Sequence, residues 1–215
     1  MSDDALLLAS ALGCSPSEAG RAAQLFERRK ALKGEALFRQ SHLCQRCWLI
    51  VEGAAVLQSV GYDGQLLQIT SYGPGELAGV FPSPRKQEAE LICDAHTEAL
   101  EAQTVPLARL AATTPGIALG LAALLARQNE ALLARMANRI TLSASGRVYS
   151  ELLALADENG AIKPAPVLAA IALRVNTTRE TASRAVAAAE RRGLVSRVQG
   201  GLLIISRPRL EALIV

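Results

Sequence analysis

The pattern of apolar and polar residues divides the chain into a helical start, a strand-rich middle, a long helix and a mixed C-terminal part. Leucines and alanines recur at helical spacing over residues 3–30, where Ser15-Pro16-Ser17-Glu18 has the form of a helix start capped by Ser15. Short apolar runs then alternate with turn signals over residues 31–105. Their spacing of about ten residues predicts an antiparallel β-sandwich or roll.

The strand-rich middle has five clear apolar runs and several turn signals between them. The runs are Ala36–Phe38, Cys47–Val51, Ala54–Leu57, Leu66–Thr70 and Leu91–Cys93. Asp63-Gly64 lies between two of them and has the composition of a tight hairpin turn.

Residues 106–145 have one long helical pattern, with apolar residues at three- and four-residue steps. These are Ile117, Leu121, Leu124, Leu125, Leu132, Met136 and Ile140. The pattern is compatible with a surface helix packed on the roll, and also with a helix that pairs with its copy in a dimer. Ser143–Gly146 is the predicted hinge after it, and Arg147–Glu158 is the next predicted helix.

The C-terminal part contains two short helical patterns separated by a break. The first runs from Pro166 to about Val175, Asn176-Thr177 interrupts it, and the second starts at Thr178. Two helices with so short a turn predict a helix-turn-helix, whose second helix can enter the DNA major groove. A glycine stop at Arg192-Gly193 and a hairpin follow, which makes the motif winged. The hairpin strands are Leu194–Val198 and Leu202–Ile205.

The second helix has a small apolar side and a polar side that suits base contacts. Arg179 and Arg184 can pair with guanine O6 and N7, and Glu180 can accept a hydrogen bond from cytosine N4. Glu180 has a second reading, as the third helical residue of a capping box with Thr177 as the N-cap. Arg197 and Arg207, in and after the hairpin, suit either phosphate contacts or plain solvated charges.

Charge is unevenly distributed along the 215 residues. Residues 1–145 hold 13 Lys/Arg and 14 Asp/Glu, a net −1, whereas residues 146–215 hold 10 and 6, a net +4. A basic C-terminal module on a near-neutral body favours a DNA reader. No run approaches the ~18 uncharged apolar residues of a membrane span, and no basic segment leads into an apolar one. We therefore expect a cytoplasmic protein without a membrane partner, and with four reduced cysteines.

The segment from Ile171 to Arg184, IALRVNTTRETASR, resembles the DNA-reading segment of the cyclic-AMP receptor protein/FNR (CRP/FNR) family of bacterial transcription regulators. More weakly, the resemblance extends from about Leu25 to Leu210. It implies an α+β chain with three parts: a cyclic-nucleotide-binding-like antiparallel β-roll with N-terminal helices, a long dimerisation helix and a winged helix-turn-helix. The corresponding ranges are 1–110, 111–143 and 144–215.

The same resemblance implies a homodimeric regulator that binds a palindromic TGTGA-like site, with double-stranded DNA and RNA polymerase as partners. The family's Arg-Glu-Thr signature falls on Arg179, Glu180, Thr181 and Arg184. The residues that we expect to contact DNA are Thr177, Thr178, Arg179, Glu180, Ser183 and Arg184. An enzyme is not expected, because no Ser/His/Asp or Cys/His arrangement at a recognisable spacing and no phosphate-cradling glycine loop occurs in the sequence.

The family's cyclic-AMP pocket is only partly matched. Glu76 occupies the position that contacts the ribose, but the Arg-Ser positions that hold the cyclic phosphate fall on Gln87 and Glu88. A carboxylate there repels a phosphate. A shifted alignment brings Arg85 into the pocket instead. The adenine-contacting polar pair falls on Leu132-Leu133, so we expect an atypical effector domain that cyclic AMP does not control, with no cofactor.

A redox, metal or haem sensor of the same family is the alternative. Cys44 and Cys47 have metal or redox spacing, and Cys14 and Cys93 are the other thiols, so four ligands for an iron–sulfur cluster are available in principle. His42 and His96 are the two possible haem ligands. Cys47 and Cys93 also lie in apolar strand runs, where a cysteine is often a small buried hydrophobe.

Overall fold

The computed structural model describes residues 2–61 and 66–214, in two compact units. The first comprises Met1–Leu132 and the second Leu133–Val215. The hairpin predicted at Asp63-Gly64 lies outside the described residues.

Two short helices, α1 (Asp3–Leu12) and α2 (Pro16–Ala23), open the first unit. The predicted start at Ser15 is confirmed: its hydroxyl accepts from the Glu18 amide, and the Glu18 carboxylate accepts from the Ser15 amide, as in a capping box. The helical pattern predicted up to residue 30 is wrong at its end. Phe26–Ala31 forms a strand that pairs along its whole length with residues 97–102. Only its two end residues, Phe26 and Ala31, are buried.

Within the residues that the structure describes, ten strands form the roll, in two four-stranded antiparallel sheets and one two-stranded sheet. The sheet orders are β1-β10-β4-β7, β2-β9-β5-β6 and β3-β8. The strands are β1 (Phe26–Ala31), β2 (Ala36–Phe38), β3 (Leu43–Cys44), β4 (Arg46–Glu52), β5 (Ala55–Val60), β6 (Leu66–Tyr72), β7 (Leu77–Gly79), β8 (Arg85–Lys86), β9 (Glu90–Cys93) and β10 (Thr97–Gln103). The predicted antiparallel roll is confirmed.

The position of strand β4 between two cores explains why its sequence is an unbroken apolar run. Trp48 and Ile50 face the core between the two large sheets, while Cys47 and Leu49 face the core shared with the helices. All four are buried because the strand is covered on both faces.

The region expected to be one helix over 106–145 consists of two helices, α3 (Thr104–Thr113) and α4 (Pro115–Thr141). Thr114 is extended between them, since a residue that precedes proline is disfavoured in the helical conformation. One described helix, α4 over Pro115–Asn138, is apolar and long enough to cross a membrane by length and composition alone, although 22% of its most apolar window is buried inside the protein. Its buried residues Ile117, Leu121 and Leu124 pack on the helix-facing side of the roll.

The second unit is the predicted winged helix-turn-helix. Its elements are α5 (Ala144–Leu155), β11 (Ala161–Ile162), α6 (Leu168–Arg174), α7 (Arg179–Arg191), β12 (Val195–Val198), β13 (Gly201–Ile204) and α8 (Arg207–Glu211). Strands β12 and β13 form the predicted hairpin, and β11 adds a third strand beside β13. Gly193 has a φ of +65°, as the predicted helix stop requires.

Three boundaries in this unit differ from the prediction. The expected hinge at Ser143–Gly146 is the start of α5, because the Ser143 hydroxyl caps the helix by accepting from the Gly146 amide. This helix ends at Leu155, before the Glu158–Gly160 turn. Helix α6 starts two residues after Pro166.

Candidate nucleic-acid interface

The turn between α6 and α7 has a fixed, left-handed geometry. Asn176 has a φ of +51°, a region that asparagine tolerates better than most residues. The Thr177 amide donates to the Ala172 carbonyl at 2.9 Å, which closes the turn. Apolar residues of both helices join the core of this unit, so the orientation of α7 is set by packing. They are Ile171, Ala172, Ala182, Ala185, Val186 and Ala189.

Arg147 holds this turn from outside, a role that no motif in the sequence indicates. Its Nε donates to the Val175 carbonyl at 2.8 Å and its Nη2 to the Asn176 carbonyl at 3.2 Å. The third bond, from Nη1 to the Leu142 carbonyl at 3.1 Å, reaches the residue that follows α4. One guanidinium therefore ties the helix-turn-helix turn to the chain that leads into α5.

Helix α7 begins one residue later than the predicted capping box requires. Thr178 is the N-cap and accepts from the Thr181 amide at 3.2 Å, so the assignment of Thr177 as the cap and Glu180 as the third helical residue is wrong. Hydrogen bonds from the Glu180 amide and the Thr178 hydroxyl lower the pKa of the exposed Glu180 carboxyl. Thr177 lies half-buried in the turn itself.

The polar face of α7 is open to solvent. Arg179, Glu180, Ser183 and Arg184 are all exposed, opposite the buried alanine face. Glu180 and Arg184 are four residues apart and therefore lie on the same side, one turn apart. Arg184 makes only a long bond, 3.4 Å, to the Thr181 hydroxyl. Two guanidiniums and a carboxylate thus project from the first two turns of one helix, which is the end that a reading helix presents to base edges.

The two peripheral arginines have partners of their own. In β12, Arg197 donates to Glu190 at 2.8 Å and remains mostly exposed. Arg207 donates to the Leu153 carbonyl at 3.3 Å. These bonds match the reading of the two residues as surface charges, and their contact with phosphate stays a prediction.

The residues predicted to line an effector pocket are placed on separate elements. The Glu76 carboxylate accepts from the Gly73 amide at 2.7 Å and so closes its own turn. Arg85 is exposed on β8, opposite Cys44. Sequence reasoning overlooked Gln128 on α4, whose side chain accepts from the Leu77 amide at 3.2 Å and donates to the Leu77 carbonyl at 3.1 Å. This double bond ties α4 directly to strand β7.

The thiols are poorly placed for reaction or metal binding. Cys44, Cys47 and Cys93 are buried and Cys14 is half-buried. Burial raises the pKa of all four and brings that of Cys47 to about 12. Within residues 2–61 and 66–214 there is no group of three or more His, Cys, Asp or Glu that could hold a metal ion. The two histidines bond to backbone carbonyls through Nδ1.

We expect Cys47 to resist alkylation in the native protein. A rise in pKa from 9.0 to about 12 lowers the thiolate fraction at neutral pH roughly a thousandfold, before access is considered. Mass spectrometry after N-ethylmaleimide treatment should show modification of Cys47 only when guanidinium chloride is present. Equal rates in the native and the unfolded chain would contradict this.

Comparison with known proteins assigns the second unit. The Crp-like helix-turn-helix domain family matches residues 146–213. The CRP-like cAMP-activated global transcriptional regulator of Mycobacterium tuberculosis is 29% identical over 185 residues, which cover 81% of each chain.

Solved structures extend the likeness to both units. FixK2 from Bradyrhizobium japonicum has a TM-score of 0.76 at 19% identity, and the match covers 87% of this chain and 96% of that one. A CooA mutant from Carboxydothermus hydrogenoformans also has a TM-score of 0.76, at 16% identity, with 91% and 90% covered. At these identities the likeness shows a shared fold.

Proposed function

Because the chain belongs to the CRP/FNR family of transcription regulators, we propose that it is a homodimer that binds a palindromic TGTGA-like DNA site through helix α7. The observation that carries this proposal is the exposed polar face of α7, held in place by the alanine-rich packing behind it. As a DNA reader it would act in the cytoplasm, with RNA polymerase as a partner, and would catalyse no reaction.

The roles of the reading residues follow from their chemistry. Arg179 and Arg184 donate to guanine O6 and N7, and Glu180 accepts from cytosine N4. Glu180 suits this role because it stays ionised: its pKa is lowered and it faces solvent. Thr177, Thr178 and Ser183 contribute hydroxyls to phosphates or bases.

The dimer is supported by a stripe of exposed residues along α4, distinct from the positions Ile117, Leu121 and Leu124 that pack on the roll. Its members follow one another at alternating steps of three and four residues and are all exposed, as in the seam of a coiled coil. They are Leu119, Ala122, Ala126, Asn129, Leu133, Met136 and Ile140. Pairing with a second copy would bury this stripe and hold two α7 helices about 34 Å apart, one DNA turn. Asn129 is the polar member, and a single polar residue in such a seam favours one register.

We further propose that cyclic AMP does not control the protein, although the mycobacterial relative is described as cAMP-activated. The carboxylate of Glu76 is engaged in its own turn. The family resemblance aligns Gln87 and Glu88 with the positions that hold the cyclic phosphate. The link that Gln128 makes to Leu77 joins the roll to α4 without a ligand. The roll would then be fixed in a DNA-competent state or respond to another ligand.

We expect Gln128→Met to destabilise the first unit by about 1–3 kcal/mol, because both backbone groups of Leu77 lose their side-chain partner. Urea unfolding measures this change. Gln87→Met is the matched control, since the Gln87 side chain makes a local bond to the Arg85 carbonyl, two residues away. Equal stability of the two variants would show that the Gln128 hydrogen bonds do not contribute to the free energy of unfolding.

The DNA-binding proposal is tested by fluorescence anisotropy at fixed salt, because phosphate contacts make the affinity steeply salt-dependent. A labelled TGTGA-type palindrome and a scrambled duplex are each titrated with the protein, with and without cyclic AMP. We expect tight binding to the palindrome alone and no change with cyclic AMP. Equal affinity for both duplexes would contradict the TGTGA-like assignment, and strengthening by cyclic AMP would contradict ligand independence.

The redox and metal alternatives receive no support from the site. The buried thiols have raised pKa values, whereas a redox-sensing cysteine needs thiolate character and exposure. We therefore do not assign the thiols a sensing role.

A further inference from the structure

A cavity of about 660 Å³ opens on the first unit, and neither Glu76 nor Arg85 is among its lining residues. Its wall includes three arginines from three stretches of the roll, Arg29, Arg39 and Arg46. Phe38 and Leu43 supply apolar surface. Neither the DNA-reading surface nor the dimer seam uses any of these residues.

A buried carboxylate organises the basic wall. Glu101 on β10 is only 8% exposed and accepts from Trp48 Nε1 at 2.7 Å and from Arg29 Nη1 at 3.0 Å. Arg46 Nη1 also donates to it. Burial alone would raise the pKa of Glu101, but the bonds from Trp48 and Arg29 and the charge of Arg46 outweigh it and keep the pKa below its usual value. Glu101 therefore stays ionised and holds two guanidiniums at the cavity.

Donor groups remain available on this wall. A guanidinium has five N–H groups, and the bond from Arg46 to Glu101 uses one terminal nitrogen. Arg39 lies 3.9 Å from Glu90, which is too long for a hydrogen bond, and its side chain is 66% exposed. Among the residues that the structure describes as lining the cavity, Glu35 is the one carboxylate, and it is held by Arg29.

We propose that this cavity binds a small organic anion, with its carboxylate between Arg46 and Arg39 and its apolar part against Phe38 and Leu43. The site suits an anion of no more than one charge, because three carboxylates already lie near the three arginines: Glu35 beside Arg29, Glu101 beside Arg29 and Arg46, and Glu90 near Arg39. Because Glu101 already orders Arg46, less side-chain freedom is lost on binding. The protein would thereby have a ligand site separate from the cyclic-nucleotide position of its relatives.

The only tryptophan of the chain, Trp48, lines this cavity, so intrinsic fluorescence reports on it directly. We would titrate the full-length protein with cyclohexanecarboxylate, which does not absorb in the tryptophan range, at constant ionic strength. Cyclohexylmethanol is the neutral control. We expect a saturable change with the carboxylate, and binding at least tenfold weaker for the alcohol. A strictly linear response, or equal responses to both compounds, would overturn the proposal.

Two variants assign the contact. Arg39→Gln leaves the Glu101 network intact and should lower the affinity for the carboxylate at least fivefold. Arg46→Gln should lower this affinity further. Arg109→Gln, an exposed arginine on α3, is the matched control and should bind as the wild type does. Since Arg46→Gln removes a partner of buried Glu101, the fold of this variant is checked by circular dichroism. If Arg46→Gln is unfolded, the result for Arg39→Gln decides the outcome. Unchanged affinity in Arg39→Gln would refute the site.

Discussion

Arg184→Ala should weaken binding to the palindrome by about 1–3 kcal/mol for each half-site and leave binding to a scrambled duplex almost unchanged. The reason is that a bidentate arginine contact to guanine is made only with the correct base. A symmetric dimer carries two copies of Arg184, so the loss counts twice on the full site. The free energy of unfolding should stay within about 0.5 kcal/mol, because Arg184 is exposed and makes only a 3.4 Å bond. Anisotropy with both duplexes and urea unfolding provide the two measurements.

Arg191→Ala is the matched control for this prediction. Arg191 is exposed on the same helix, seven residues on, about 10 Å further along the axis. Removal of its charge should weaken binding to both duplexes to a similar extent, as expected for a sequence-independent electrostatic contribution. If Arg184→Ala preserves the wild-type ratio between palindrome and scrambled duplex, Arg184 does not read a base.

Leu133→Glu should convert the protein to a monomer and lower its affinity for the palindrome at least a hundredfold. Leu133 is 55% exposed and lies in the α4 stripe, so a dimer would bring two glutamates together in an apolar seam. A monomer also loses the effective concentration that couples the two half-sites, which is commonly worth a factor of 10²–10⁴. Sedimentation velocity and anisotropy measure the two effects.

Ala134→Glu separates the seam from the helix as a whole. Ala134 is the next residue, also exposed, and its side chain is rotated by about 100° from that of Leu133. This variant adds the same charge at the same depth of the helix and should remain dimeric. If the Leu133→Glu protein is still a dimer, α4 does not form the dimer interface. If the wild-type protein is a monomer, the homodimer proposal is wrong.

Much of the fold follows from local patterns that need no knowledge of distant residues. Apolar runs between turn residues predict five strands of the roll, β2, β4, β5, β6 and β9, whereas β1 was expected to be helical. Ser15 and Gly193 mark helix ends where the structure has them. Strand β10 escaped the prediction because Thr97–Gln103 is rich in alanine and glutamate, which favour helix. It is a strand because β1 and β4 pair with it on both sides, and such pairing overrides intrinsic preference.

The start of the reading helix shows that local sequence rules locate a helix cap only to within one residue. Thr177 and Thr178 are equally good caps by residue type, and Glu180 made the first of them more attractive. The structure selects Thr178, because Thr177 donates its amide to Ala172 and so belongs to the preceding turn. The one-residue shift places Thr178 at the cap and makes Arg179 the first residue of α7.

By itself, the sequence determined five strands of the roll, the winged helix-turn-helix and the residues on its reading helix, because each depends on spacing within a few turns of chain. Only the tertiary structure decided what Arg147, Gln128 and Glu101 do. Their partners lie 28, 51 and 55 residues away, at Val175, Leu77 and Arg46. No local pattern encodes such pairs, since they exist only once packing has brought distant segments together.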